Sequence, residues 1–71
     1  MTQTVTATST RTGQTYTYTT KRTPKFCAIV LDPRNGEEWA ASWGGMSTCK
    51  AKESEYRNST HPATVEIVEV N

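Results

Sequence analysis

Phe26-Cys27-Ala28-Ile29-Val30-Leu31 is the longest unbroken apolar run in this chain of 71 residues, and its reading decides the fold. A strand with one wet face alternates apolar and polar residues, whereas one that is apolar throughout is buried on both faces or lies at the centre of a sheet. The run has the length of a strand, with Pro24 before it and Asp32-Pro33-Arg34-Asn35-Gly36 after it. Pro33 presets its own φ and Asn35-Gly36 tolerates left-handed backbone, so the second segment closes a hairpin. The next strand is Glu38-Trp39-Ala40-Ala41-Ser42-Trp43. Strict alternation there puts Trp39, Ala41 and Trp43 on one face and Glu38, Ala40 and Ser42 on the other.

Upstream, residues 2–20 alternate with a period of two, threonines occupying positions 2, 4, 6, 8, 10 and 12 against Val5, Ala7 and Ser9. This is the pattern of a strand. It breaks at Arg11-Thr12-Gly13-Gln14, where Gly13 can supply the positive φ of a turn, and resumes as Thr15-Tyr16-Thr17-Tyr18-Thr19, giving a first hairpin. Pro24 holds Thr23 extended, so residues 21–24 read as a bend. Downstream, Gly44-Gly45 ends the fourth strand, and Ser47 or Thr48 offers an N-cap to a helix running to about Arg57. Met46, Cys49, Glu53 and Tyr56 fall on one side of that helix. Thr64-Val65-Glu66-Ile67-Val68-Glu69-Val70 is a fifth, β-branched strand.

The order β-β-β-β-α-β predicts an α+β fold: a mostly antiparallel sheet of about five strands with one helix packed on one face. It forms a single domain, with residues 1–23 as the threonine-rich hairpin and residues 24–71 as the strand-strand-helix-strand core. A chain of this size buries only about 60% of the surface exposed when unfolded. Its hydrophobic content of 34% and mean hydropathy of -0.68 leave few side chains to offset the entropy of folding. A partner or a second copy would supply the missing burial, the second copy through the edge of strand one or five. Net charge is only +1 and Thr, Val, Ile, Tyr and Trp recur, which argues against disorder.

No apolar run approaches a membrane span, and the start has no basic and then apolar signal pattern, so a cytoplasmic location is expected. Cys27 and Cys49 are the only cysteines and read as free thiols of a reducing compartment; whether they can bridge depends on the fold. Charge is divided along the chain. Residues 1–36 carry five basic side chains against Asp32, or +4, and residues 37–71 carry three basic against six acidic, or -3.

Two binding constellations follow. Trp39, Trp43 and Tyr56 are large anchors in a chain too small to bury them all, and so form a candidate protein interface; their bland reading is core between sheet and helix. Tyr16 and Tyr18 share one side of a strand and are followed by Lys21, Arg22 and Lys25, a candidate nucleic-acid face combining stacking with phosphate neutralisation. The bland reading of the tyrosines is core, and that of the threonine array is the solvent face of a strand. No catalytic motif is present: His61 and Asp32 are the sole residues of their types, and His61 reads as a surface loop residue. Cys27, Cys49 and His61 lack the paired short spacing of a zinc site, no glycine-rich phosphate loop appears, and no cofactor is implied.

The segments Phe26 to Pro33, Gly36 to Trp39, Ala41-Ser42-Trp43 and Val65 to Val70 resemble in style small uncharacterised proteins of actinobacteria and their phages. The resemblance covers about two thirds of the chain and implies a cytoplasmic accessory protein, with no residue role to carry over. The sequence therefore predicts a non-enzymatic binding protein, a phage factor docking on a host protein, with a small nucleic-acid binder using the basic half as the alternative.

Overall fold

The computed structural model describes residues 2–60 and 62–70; the expectation for His61 lies outside them. Five strands and one helix follow the predicted order: β1 (Gln3–Thr8), β2 (Thr15–Thr20), β3 (Phe26–Leu31), β4 (Glu38–Gly44), α1 (Met46–Arg57) and β5 (Thr64–Glu69). All pairings are antiparallel, but the strands divide into two sheets: the β1-β2 hairpin alone, and a three-stranded sheet ordered β4-β3-β5. The apolar run is the central strand, as its composition requires, and Cys27, Ala28, Ile29 and Val30 are all fully buried. Consecutive buried residues point to opposite faces of a strand, so the three-stranded sheet is covered on both sides. Ala7 of the hairpin packs with Cys27 and Ile29 on one side. On the other, Tyr56 of α1 meets Trp39 edge to face with ring centroids 6.2 Å apart.

One residue overturns the expected parity of β4. Cys27 faces Trp43 and Ala28 faces Ser42, but Ile29 faces Ala40 and Val30 faces Trp39, so Ala41 is an extra residue against the Ala28/Ile29 step. This β-bulge reverses the alternation on either side of it. Trp39 therefore lies on the helix face with Val30, whereas Trp43, Ala40 and Glu38 lie on the hairpin face. The two tryptophans do not share a surface.

The two hairpins close with the same turn. Ser9 and Asp32 each donate their N–H to the carbonyl five residues on, Gln14 at 2.9 Å and Glu37 at 2.8 Å, and accept on their own carbonyl the N–H of Gly13 (3.0 Å) or Gly36 (2.8 Å). Both glycines have positive φ, 77° and 75°, which a side chain would strain. At each turn the first side chain accepts the N–H two residues on, and the fourth accepts the N–H two further: Ser9 from Arg11 and Thr12 from Gln14, Asp32 from Arg34 and Asn35 from Glu37. Ser-Thr-Arg-Thr-Gly-Gln and Asp-Pro-Arg-Asn-Gly-Glu are thus one design written twice.

The helix starts earlier than the sequence reading places it. Gly45, in extended backbone, stands at the N-cap without a side-chain bond, and Met46 is the first helical residue rather than a residue following Ser47 or Thr48. Because β4 runs on through Gly44, Gly45 alone separates the strand from the helix, and it has no side chain with which to cap. Cys49 is the buried residue of the helix, and half-buried Glu53, one turn further along the same side, pairs with Arg57 at 3.5 Å.

Polar contacts seat the hairpin on the central sheet. Glu38, whose side chain is only 3% exposed, accepts hydrogen bonds from Ser9 Oγ at 2.9 Å, Thr12 Oγ1 at 2.7 Å and Tyr16 OH at 2.6 Å. Arg11 Nη2 lies 3.8 Å from the same carboxylate and donates to the Ile29 carbonyl at 3.0 Å, beside the bulge. On β5, Glu66 accepts the Thr10 N–H at 3.0 Å and its hydroxyl. Desolvation pushes the Glu38 carboxyl up, but the hydrogen bonds from Tyr16, Thr12 and Ser9 and the Arg11 charge outweigh it, so its pKa falls below the ordinary 4.5. Tyr16 is raised to about 12, first by burial and then by donating to Glu38.

Replacing Glu38 by Ala strands three donors and a cation, and is expected to cost about 3–5 kcal/mol, a large share of a small domain's stability. The ionised Glu38 stabilises the fold fully above pH 4.5, and that contribution disappears as pH falls through its lower folded pKa. Urea unfolding of wild type should therefore show an acid-side loss of stability that Glu38→Gln, already weakened at neutral pH, lacks; equal pH slopes for the two would refute the assignment.

Candidate nucleic-acid interface

Tyr16 and Tyr18 face inward from β2, opposite Ala7 and Val5 of β1, and end in different places. Tyr16 is half-buried with its hydroxyl on Glu38, so it is a structural residue. Tyr18 reaches the rim, is 43% exposed, and stacks on Trp43 with centroids 5.3 Å apart and planes 17° from parallel. The bulge makes this pair, since without it Trp43 would share a face with Trp39.

The stacked pair forms one wall of a cleft of about 670 Å³, within the range of about 300–1,000 Å³ typical of ligand sites. Thr20, Arg22, Thr23, Pro24 and Lys25 continue the lining from the hairpin exit, and Gly44, Gly45 and Thr48 complete it from the end of β4 and the first turn of α1. The exit segment is fixed by its backbone. Gln3 Nε2 donates to the Arg22 carbonyl at 2.8 Å, the Arg22 N–H donates to Thr20 Oγ1 at 3.0 Å, and the Lys25 carbonyl accepts the Val70 N–H at 2.9 Å. Two cationic side chains are thereby presented from a defined main chain. A Cβ on Gly44 would make only ordinary van der Waals contact with Thr48, at 3.4 Å. The uncapped first turn of α1, with no acidic residue in it, adds partial positive charge.

Of the expected nucleic-acid face, the structure brings together Tyr18, Arg22 and Lys25. Lys21 is exposed outside the cleft lining and Tyr16 is turned away. Trp43, expected in a protein interface, joins the cleft instead. The expected protein-interface trio is divided, leaving Trp39 and Tyr56, both half-buried, as a pair on the helix face.

Cys27 and Cys49 are both free and buried. Burial, with a smaller contribution from Cys49, pushes the Cys27 thiol up to about 12, and burial also raises Cys49, so neither is a ready nucleophile. Among the described residues no group of three His, Cys, Asp or Glu side chains could hold a metal ion, and no helix is long and apolar enough to cross a membrane. No protein-family model, curated protein or solved structure matches the chain.

The stacked pair carries its own test. Tyr18→Ala is expected to lose about 0.5–1.5 kcal/mol beyond the buried area, and in a Trp39→Phe background the emission of Trp43 should shift to the red as its ring meets water. Unchanged emission would place Tyr18 away from Trp43.

Proposed function

We propose that the protein is a small non-enzymatic nucleic-acid-binding protein that grips a single strand in the Tyr18–Trp43 cleft. What supports this most is that one cleft combines a stacked aromatic wall with Arg22 and Lys25. An unpaired base offers its π-face to such a wall whatever its identity, and the adjoining phosphates are neutralised by the two cations. The first-turn N–H groups of α1 suit a phosphate oxygen for the same reason that helix N-termini bind anions. A duplex hides its base faces and gains only the electrostatic part. The acidic half of the chain, including Glu53, Glu55, Glu66 and Glu69, disfavours a polyanion that spreads beyond the cleft.

A second reading, docking on a protein partner, keeps support from the half-exposed Trp39–Tyr56 pair on the opposite side of the central sheet.

Fluorescence anisotropy of a labelled oligothymidylate separates the two. Affinity should fall roughly tenfold between about 50 and 200 mM salt for two or three phosphate contacts. Joint replacement of Arg22 and Lys25 by Ala should abolish binding, and Tyr18→Ala should weaken it by about 1–3 kcal/mol. Lys21→Ala and Tyr16→Phe, outside the cleft, should change affinity little in protein that remains folded. Absence of a salt-sensitive anisotropy rise at about 50 mM salt would overturn the nucleic-acid reading and leave the protein-docking one.

A further inference from the structure

Independently of the cleft, we infer that two copies of the chain pair through the free edge of β5, joining their three-stranded sheets into one of six strands. The central sheet has two edges, β4 and β5. The β4 edge is interrupted by the bulge at Ala41, a device that blunts strand pairing. The β5 edge has no such protection: Thr64–Glu69 pairs with β3 in unbroken register, and the segment contains no Gly, Pro or Lys. Its Val65, Ile67 and Val68 are only half-buried although α1 and the hairpin lie over the two faces of the sheet. The hairpin sheet offers little in comparison, since its aliphatic residues Val5 and Ala7 are already buried.

The main chain fixes the parity of the register. The Val70 N–H donates to the Lys25 carbonyl of the segment leading into β3, so Val70 turns its backbone toward β3. Along an antiparallel strand these groups alternate in direction, so the N–H and C=O of Val65, Ile67 and Glu69 point out of the free edge. A twofold axis perpendicular to the sheet keeps helix face with helix face and sets residues of like parity opposite each other. Centred on Ile67, it pairs Ile67 with its own copy, Val65 with Glu69 of the second copy and Glu66 with Val68 of the second copy. Every outward N–H then finds a carbonyl, and no two carboxylates face one another. Centring on Glu66 or Glu69 would oppose like charges. Burial also favours association: one chain exposes 4687 Å², whereas a monomer of 7.9 kDa averages roughly 4,400 Å².

The test is light scattering from about 10 μM to about 1 mM, where mass action should carry the measured mass from 7.9 kDa toward twice that value. Glu69→Pro removes an outward donor while sparing the β3 ladder, since Pro is tolerated where the N–H faces solvent; it should stay folded by circular dichroism and remain monomeric throughout. Amide exchange of Val65 and Ile67 in the wild type should slow as concentration rises, a readout that holds even if the variant does not fold. Constant monomer mass, a folded Glu69→Pro that still dimerises, or concentration-independent exchange at these two amides would each overturn the inference.

Discussion

The carboxylate of Glu38 is the constraint on which the arrangement of the two sheets depends. A two-stranded ribbon has no stability of its own in water, and the β1-β2 hairpin shares no ladder with the central sheet. It is held by side chains, and Ser9, Thr12, Tyr16 and Arg11 converge on this one group. Taking a carboxylate and a guanidinium out of water is costly, and here Arg11 keeps Nε and Nη1 buried without partners. The position is tolerable because the carboxylate itself is well satisfied. With the turn seated, Ala7 reaches Cys27 and Ile29, and Tyr18 arrives over Trp43.

The bulge at Ala41 is the second determinant, and it acts through Glu38. With strict alternation, Glu38 and Trp43 would lie on opposite faces of β4, and a hairpin on either face would meet only one of them. One extra residue brings the acid that anchors the turn and the ring that stacks on Tyr18 to the same side, at opposite ends of the strand. The same residue sends Trp39 to the helix, so each layer packed on the central sheet receives one tryptophan.

Much of this was legible in the sequence. Phe26 to Leu31 announced a central strand by being apolar at every position, and Gly13 and Gly36 marked turns that only positive φ could close. The helix and β5 fell close to their expected bounds. The division into two sheets was not legible, because alternation in β1 and β2 says that one face is buried but not which surface buries it. Nor was the bulge: Ala40-Ala41 offers no Gly to betray an extra residue, and both alanines fit either face. The cleft was half visible for that reason. Tyr18, Arg22 and Lys25 lie close together in the chain, whereas Trp43 and the start of α1 join them only through tertiary structure. Tyr16 could not be told from Tyr18 by spacing, since what separates them is a hydrogen bond to Glu38, 22 residues away.

The two matching turns differ in where their first side chain spends its bonding capacity. Ser9 accepts from its own turn and still has a hydroxyl proton to give to Glu38, whereas Asp32 turns back on Arg34, holding its guanidinium at 3.1 Å. The Ser9 turn is therefore a plug seated on the central sheet, whereas the Asp32 turn, of nearly the same shape, leaves residues 33–36 exposed. Because Pro33 to Gly36 are all exposed, that tip is the natural point at which to graft an epitope, a fluorophore or an inserted peptide, since loop tips lengthen at small cost. The Ser9 turn has no such freedom, and a graft there would unseat the hairpin from the sheet it covers.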